Sequence, residues 1–136
     1  MNTPPFQVMH LLPDISRGGG QAVVLELVAN CDRARFQPHV ARLAAPDDMA
    51  AEFTAAGCVP IDPRERGPGL LGGLVRTIGD LGIDLLHVHS ERDRKLGQIA
   101  ALLRGCRLSD TSTPRGRISN RCTGRIPKSW GVGSRG

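Results

Sequence analysis

No run of 18 or more apolar residues occurs in the chain, so no helix of bilayer-spanning length is expected from its sequence. The first residues, Met1-Asn2-Thr3-Pro4-Pro5, lack the basic stretch and apolar stretch of a secretory leader, and a cytoplasmic protein is expected. Cysteine is sparse, and Cys31, Cys58, Cys106 and Cys122 show no C-x-x-C spacing. Thiols in a reducing compartment are expected, in preference to a disulfide framework. Acidic residues almost vanish towards the end. Residues 1–103 carry ten Lys/Arg and twelve Asp/Glu, a net −2, whereas residues 104–136 carry eight basic residues against Asp110 alone, a net +7. The overall +5 therefore describes a mildly acidic domain joined to a basic tail.

What is present is a regular alternation of apolar segments and amphipathic ones. Phe6 to Leu12 (FQVMHLL) reads as a buried first strand, and residues 13–17 leave it as a loop. Gly18-Gly19-Gly20-Gln21 follows, and then a helix over residues 22–29 whose apolar face is Val23, Val24, Leu27 and Val28. Residues 39–44 (HVARLA) predict a second strand. Asp47 or Asp48 is expected to cap a short helix carrying Met49, Phe53 and Ala56, stopped by Gly57. Residues 59–62 predict a short third strand, and residues 63–69 (PRERGPG) a breaker-rich loop. Leu70, Leu71, Leu74, Val75, Ile78 and Leu81 mark an amphipathic helix ended by Gly82. Residues 83–88 (IDLLHV) predict a fourth strand, and residues 93–103 a last helix with Leu96, Ile99, Ala100 and Leu103 inward.

Apolar strands alternating with helices through short loops imply an α/β fold: a Rossmann-like parallel sheet covered by helices on both faces. The pattern stops near residue 105, so the fold is read as an incomplete domain over 1–105. Residues 106–136, with only isolated apolar side chains, are expected to form a disordered C-terminal tail.

The glycine cluster between first strand and first helix brings backbone N–H groups to a helix N-terminus, a place for a phosphate or sugar hydroxyl. It is not a dinucleotide fingerprint, because Val23 holds the third-glycine position and no ribose-binding acid ends the second strand. It is not a P-loop, because no G-K-(S/T) follows. His87 and His89 lie two apart on a strand and share a face. No further His/Cys/Asp cluster accompanies them in the sequence, so no metal is expected, and His10 and His87 are read as core residues. His89 and Ser90, at the strand's end, are read as lining a cleft.

Four segments together resemble the N-terminal domain of family 4-like glycosyltransferases. Gly18-Gly19-Gly20-Gln21-Ala22-Val23-Val24 is similar to that family's G-G-(A/G)-(E/Q)-R loop, departing from it at Ala22. Arg35-Phe36-Gln37-Pro38-His39-Val40 is similar to its R-F-(E/D)-V-H-V strand entry, and residues 50–60 to its L-x-x-x-L-x-x-x-G-(I/V)-P segment. Asp84-Leu85-Leu86-His87-Val88-His89-Ser90 is similar to its D-(V/I)-(V/L)-H-x-H-(S/N) strand end.

The resemblance covers residues 6–103. It implies the acceptor-side half of a GT-B enzyme, which transfers a sugar from a nucleotide-sugar donor to a sugar or lipid-linked acceptor. It implies retention of configuration, no metal cofactor and peripheral rather than spanning contact with a membrane. The substrate-binding residues it implies are Gly18, Gly19, Gly20, Gln21, His89 and Ser90, with no catalytic residue among them.

After Arg104-Gly105 the family's V-P-V strand is replaced by Cys106-Arg107-Leu108-Ser109-Asp110-Thr111. A reading-frame disruption near residues 104–106 is expected, giving a truncated fragment without transferase turnover of its own. The rival reading is a non-enzymatic nucleotide- or nucleic-acid-binding protein using Arg115, Arg117, Arg121, Arg125, Lys128 and Trp130. Nucleic acid is disfavoured, since the tail has no R-G-G boxes and no interleaved aromatic residues.

Overall fold

The computed structural model describes residues 4–110. Strand β1 (Phe6–Leu12) leads to helix α1 (Gly19–Asn30), strand β2 (Phe36–Arg42) and helix α2 (Ala50–Ala55). A 3-10 turn at Pro63–Glu65 precedes helix α3 (Gly69–Leu81), followed by strand β3 (Leu85–Val88), helix α4 (Arg94–Arg104) and strand β4 (Arg107–Asp110). The four strands form one all-parallel sheet in the order β2-β1-β3-β4, an α/β fold of Rossmann-like character. No helix among the described residues is long and apolar enough to cross a membrane.

Parity along the strands sorts the core into two layers. Met9, Leu11, Leu86, Val88 and Leu108 face α3 and α4, packing with Leu74, Ile78, Ala100 and Ala101. Leu12 and Val40 face the other way, against Val24 and Val28 of α1 and Phe53 of α2. Helices thus cover both faces, as the alternating pattern implies. The Leu70-to-Leu81 stripe is core as expected, and Gly82 ends its helix in the left-handed conformation at φ 62°.

Several expectations are corrected. Helix α1 begins at Gly19, so Gly19 and Gly20 lie in its first turn, with Gly18 as the N-cap, instead of in a loop ahead of it. First-turn N–H groups have no intrahelical partner in any case, which makes this turn a tolerant place for glycine. Only Val24 and Val28 of the expected apolar face are buried. Val23 and Leu27 remain 59% and 48% exposed, lining a surface recess with Phe36.

Strand β2 starts at Phe36, earlier than expected, and accommodates Pro38 because β2 lies at the sheet's edge. Residues 59–62 give a single bridge, Ala41 to Ile61, since Pro60 and Pro63 have no N–H to extend a ladder. The expected fourth strand is therefore β3. Neither Asp47 nor Asp48 caps α2 through its side chain. The N-cap is buried Met49, and Asp47 contributes only its carbonyl oxygen, to Ala50 N.

The last correction concerns residues 107–110, read from sequence as the start of a disordered tail. They form β4, parallel to β3, with Leu108 opposite Leu86. Cys106 and Leu108 are buried there, and Arg107 N donates to Asp84 O at 3.1 Å. One apolar residue in four is a weak strand signal, but the neighbouring backbone supplies the ladder. The rest of the expected tail, 111–136, lies outside the described residues.

Candidate functional site

Parallel strands feed their carboxyl ends into loops on one edge of the sheet, where open α/β sheets receive ligands. Two such ends adjoin here, those of β1 and β3, the central strands. They deliver Asp14 and the glycine turn on one side, and His89, Ser90 and Asp93 on the other.

On the β1 side, Asp14 organises the turn. Its Oδ1 accepts from Ser16 N at 3.0 Å, Ser16 Oγ at 2.5 Å and Gln21 Nε2 at 3.1 Å. The Ser16 hydroxyl bond, then the Ser16 amide and Gln21, hold the Asp14 carboxyl below its usual range. Gln21, expected to contact substrate, thus spends its side-chain amide on fixing the loop to the first turn of α1.

Gly18 is the N-cap in extended conformation, φ −155° and ψ 166°, with no side-chain cap. The first intrahelical bond runs from Ala22 N to Gly18 O at 3.0 Å, so the N–H groups of Gly19, Gly20 and Gln21 precede it at the positive end of the helix dipole. A Cβ added at Gly19 or Gly20 would meet no atom of the chain within 4 Å, and both residues are exposed.

On the β3 side, His89 N donates to Leu11 O at 3.2 Å, carrying the ladder one step past the strand. Ser90 follows. Its carbonyl oxygen accepts from Asp93 N at 3.2 Å, and the Asp93 carboxyl is pushed up chiefly by burial. Each side is thus held locally: Gln21 binds Asp14 on one, and Asp93 N binds Ser90 O on the other.

Between them lie three histidines. His10 of β1 is directly opposite His87 of β3 in the parallel register, and His89 stands two residues further along. His10 shares strand parity with Leu12, which places the group on the α1 side of the sheet. His10 Nδ1 and His89 Nε2 are 3.0 Å apart in a hydrogen bond, one ring donating to the other. Ring centroids are separated by 4.1 Å for His87 and His89, 5.2 Å for His10 and His89, and 5.4 Å for His10 and His87.

His10 is buried and the other two are half-buried. Burial first, then the charge of His87, lowers the His10 pKa to about 4. Burial first, then His87 and His10, lowers that of His89 to about 3. These two rings are neutral at pH 7, fit to donate, to accept or to coordinate.

Of the residues singled out from sequence, Gly18–Gln21 and His89–Ser90 are brought to one edge of the sheet. Sequence reasoning gives no site role to His10, Asp14 or Asp93, which the fold adds. For His10 the available signal is that neighbouring parallel strands set β1 and β3 side by side, giving the His87/His89 pair a third ring. Compared with known proteins, the chain significantly matches no protein-family model, no curated protein and no solved structure.

Proposed function

We propose that residues 6–103 are the acceptor-side, Rossmann-like half of a family 4-like glycosyltransferase, and that Gly18, Gly19 and Gly20 with His89 and Ser90 line its sugar-transfer cleft. The observation that carries this reading is the meeting of the glycine turn and the His89–Ser90 strand end at the carboxyl ends of two adjacent parallel strands. Both features belong to the four segments that resemble the family.

In this role the N–H groups of the first turn of α1 hydrogen-bond a phosphate oxygen of a nucleotide-sugar. The helix dipole favours the charge that the leaving phosphate gains as the glycosidic bond to the donor breaks. Gly19 and Gly20, with no chain atom above them, allow that approach without a side chain in the way. His89 and Ser90 hydrogen-bond sugar hydroxyls and position the acceptor. Gln21 acts one step back, by holding Asp14 and through it the loop.

The test is a titration of the isotope-labelled chain with common nucleotide-sugars and sugar phosphates, followed by amide NMR. Saturable shifts at Gly18–Gln21 and at His89–Ser90 are expected. Shifts confined to residues 104–136 would favour the rival reading of a basic nucleotide-binding tail. No shift at either site with any probe would sink the sugar-transfer reading.

A further inference from the structure

We propose that His10, His87 and His89 form a three-imidazole site for a late first-row divalent cation, with zinc the ion that the ligand set fits best. Each histidine offers one ring nitrogen, and these nitrogens lie within 4.8 Å of one another. Zinc–nitrogen bonds of about 2.0–2.1 Å in a tetrahedron put neighbouring ligand nitrogens roughly 3.3 Å apart. The His10–His89 pair already stands at 3.0 Å. Small side-chain rotations about fixed backbones complete the triangle.

Those backbones are fixed by the sheet. His10 and His87 are register partners on adjacent central strands, and His89 is tied to β1 through its amide bond to Leu11 O. The spacing of the three rings is therefore set by parallel pairing and not by loop conformation. Three imidazoles suit zinc, copper and nickel better than the oxygen-seeking magnesium or calcium. They leave a fourth position for water or an anionic oxygen, the arrangement of open zinc sites. His10 lies at the buried end of the group, and the half-buried His87 and His89 leave it reachable from solvent. The site stands whether or not a sugar phosphate binds the glycine turn.

The full chain, freed of metal with a chelator, is titrated with zinc at pH 7.5 by calorimetry and with cobalt by visible absorption. Saturable uptake of a single equivalent is expected, with a tetrahedral cobalt spectrum. His87→Gln and His89→Gln should each weaken binding about tenfold or more, on the scale of perturbed metal sites. His39→Gln, which alters the chain's one remaining histidine, should leave it unchanged.

Nitrogen NMR of the imidazoles in the unmutated chain decides the matter even if the variants fold poorly. Zinc should move the resonances of His10, His87 and His89 and leave those of His39 in place. Absence of saturable binding, binding that survives both substitutions in folded protein, or zinc that leaves the three rings unmoved would each overturn the site.

Discussion

Two helices of this domain start in glycine-rich sequence, and they use glycine for opposite reasons. At α3, a Cβ on Gly73 would stand 1.6 Å from Pro63 O, and one on Gly67 would stand 2.9 Å from Gly73 Cα. Gly67 and Gly73 are filled against the chain itself, since the 3-10 turn at Pro63–Glu65 lies directly on the helix, and Gly69, open above, is called for by its left-handed φ of 72°. At α1, a Cβ on Gly19 or Gly20 would meet nothing of the chain within 4 Å. Packing explains the first set and says nothing about the second. The difference is what directs attention to the edge of the sheet, where polar groups hold one another and the approach to the backbone is open.

The sharpest way to break this comparison is to add one methyl group at each helix start. Gly73→Ala cannot be absorbed by a rotamer change, because the group it meets is a backbone carbonyl. The turn must lift off α3, disturbing the buried Leu74, Thr77 and Ile78. A loss of at least about 3 kcal/mol is expected, at the upper end of overpacking costs. Urea denaturation followed by circular dichroism measures it. A Gly73→Ala protein as stable as the parent would mean that α3 and the turn are not in this contact.

The second test separates the two regions by acid. The packed part of α3, built from Gly73, Leu74, Thr77 and Ile78, holds no titratable side chain. The sheet edge holds His10, whose pKa falls from 6.5 to about 4 on folding. A depressed histidine pKa means that the folded state favours the neutral ring, while the unfolded chain takes up a proton below about 6.5. Its contribution is thus complete above pH 6.5 and is lost as pH falls towards 4.

Between pH 7 and pH 5 the loss from His10 amounts to about 2 kcal/mol in metal-free protein. This window lies above that in which the depressed Asp14 carboxyl is protonated. Denaturation midpoints at the two pH values should differ for the parent and differ less for His10→Gln, in which the depressed His89 still loses stability over the same window. Equal midpoints in the parent would show that the His10 ring is hydrated or already charged in the fold.

The same contrast explains how much can be read from the sequence. Local patterns suffice where local chemistry decides. Phe6–Leu12 is apolar enough to be a strand anywhere in a parallel sheet, and Gly82 stops α3 through its own left-handed backbone. What escapes depends on partners far along the chain. Strand β4 has one apolar residue in Arg107-Leu108-Ser109-Asp110, and only the exposed ladder of β3 makes it a strand. Residues 59–62 look like a strand until Pro60 and Pro63 are asked to donate bonds they lack.

Half the candidate site is legible for the same reason. Gly18–Gln21 and His89–Ser90 are each contiguous in sequence. The His10–His89 contact spans 79 residues and requires the register of β1 on β3 to be known. Gln21 is legible as part of the glycine turn, but its bond to Asp14 follows from the path of the intervening residues.

The smallest expected effect is the most informative about α1. Gly20 sits in the first turn of a helix, where alanine is intrinsically favoured over glycine by up to about 1 kcal/mol, and no chain atom opposes the added methyl group. Gly20→Ala should therefore raise stability by about 0.5 kcal/mol, the reverse of the effect at Gly73. If the N–H groups of this turn receive a phosphate, the same methyl group should weaken nucleotide-sugar binding about tenfold, by obstructing a close approach to the backbone. Stability and binding then move in opposite directions in one variant. A Gly20→Ala protein that is less stable than the parent would place an internal packing role on this glycine and erase the contrast with α3. One that is more stable and binds equally well would leave the glycine turn without a ligand to explain it.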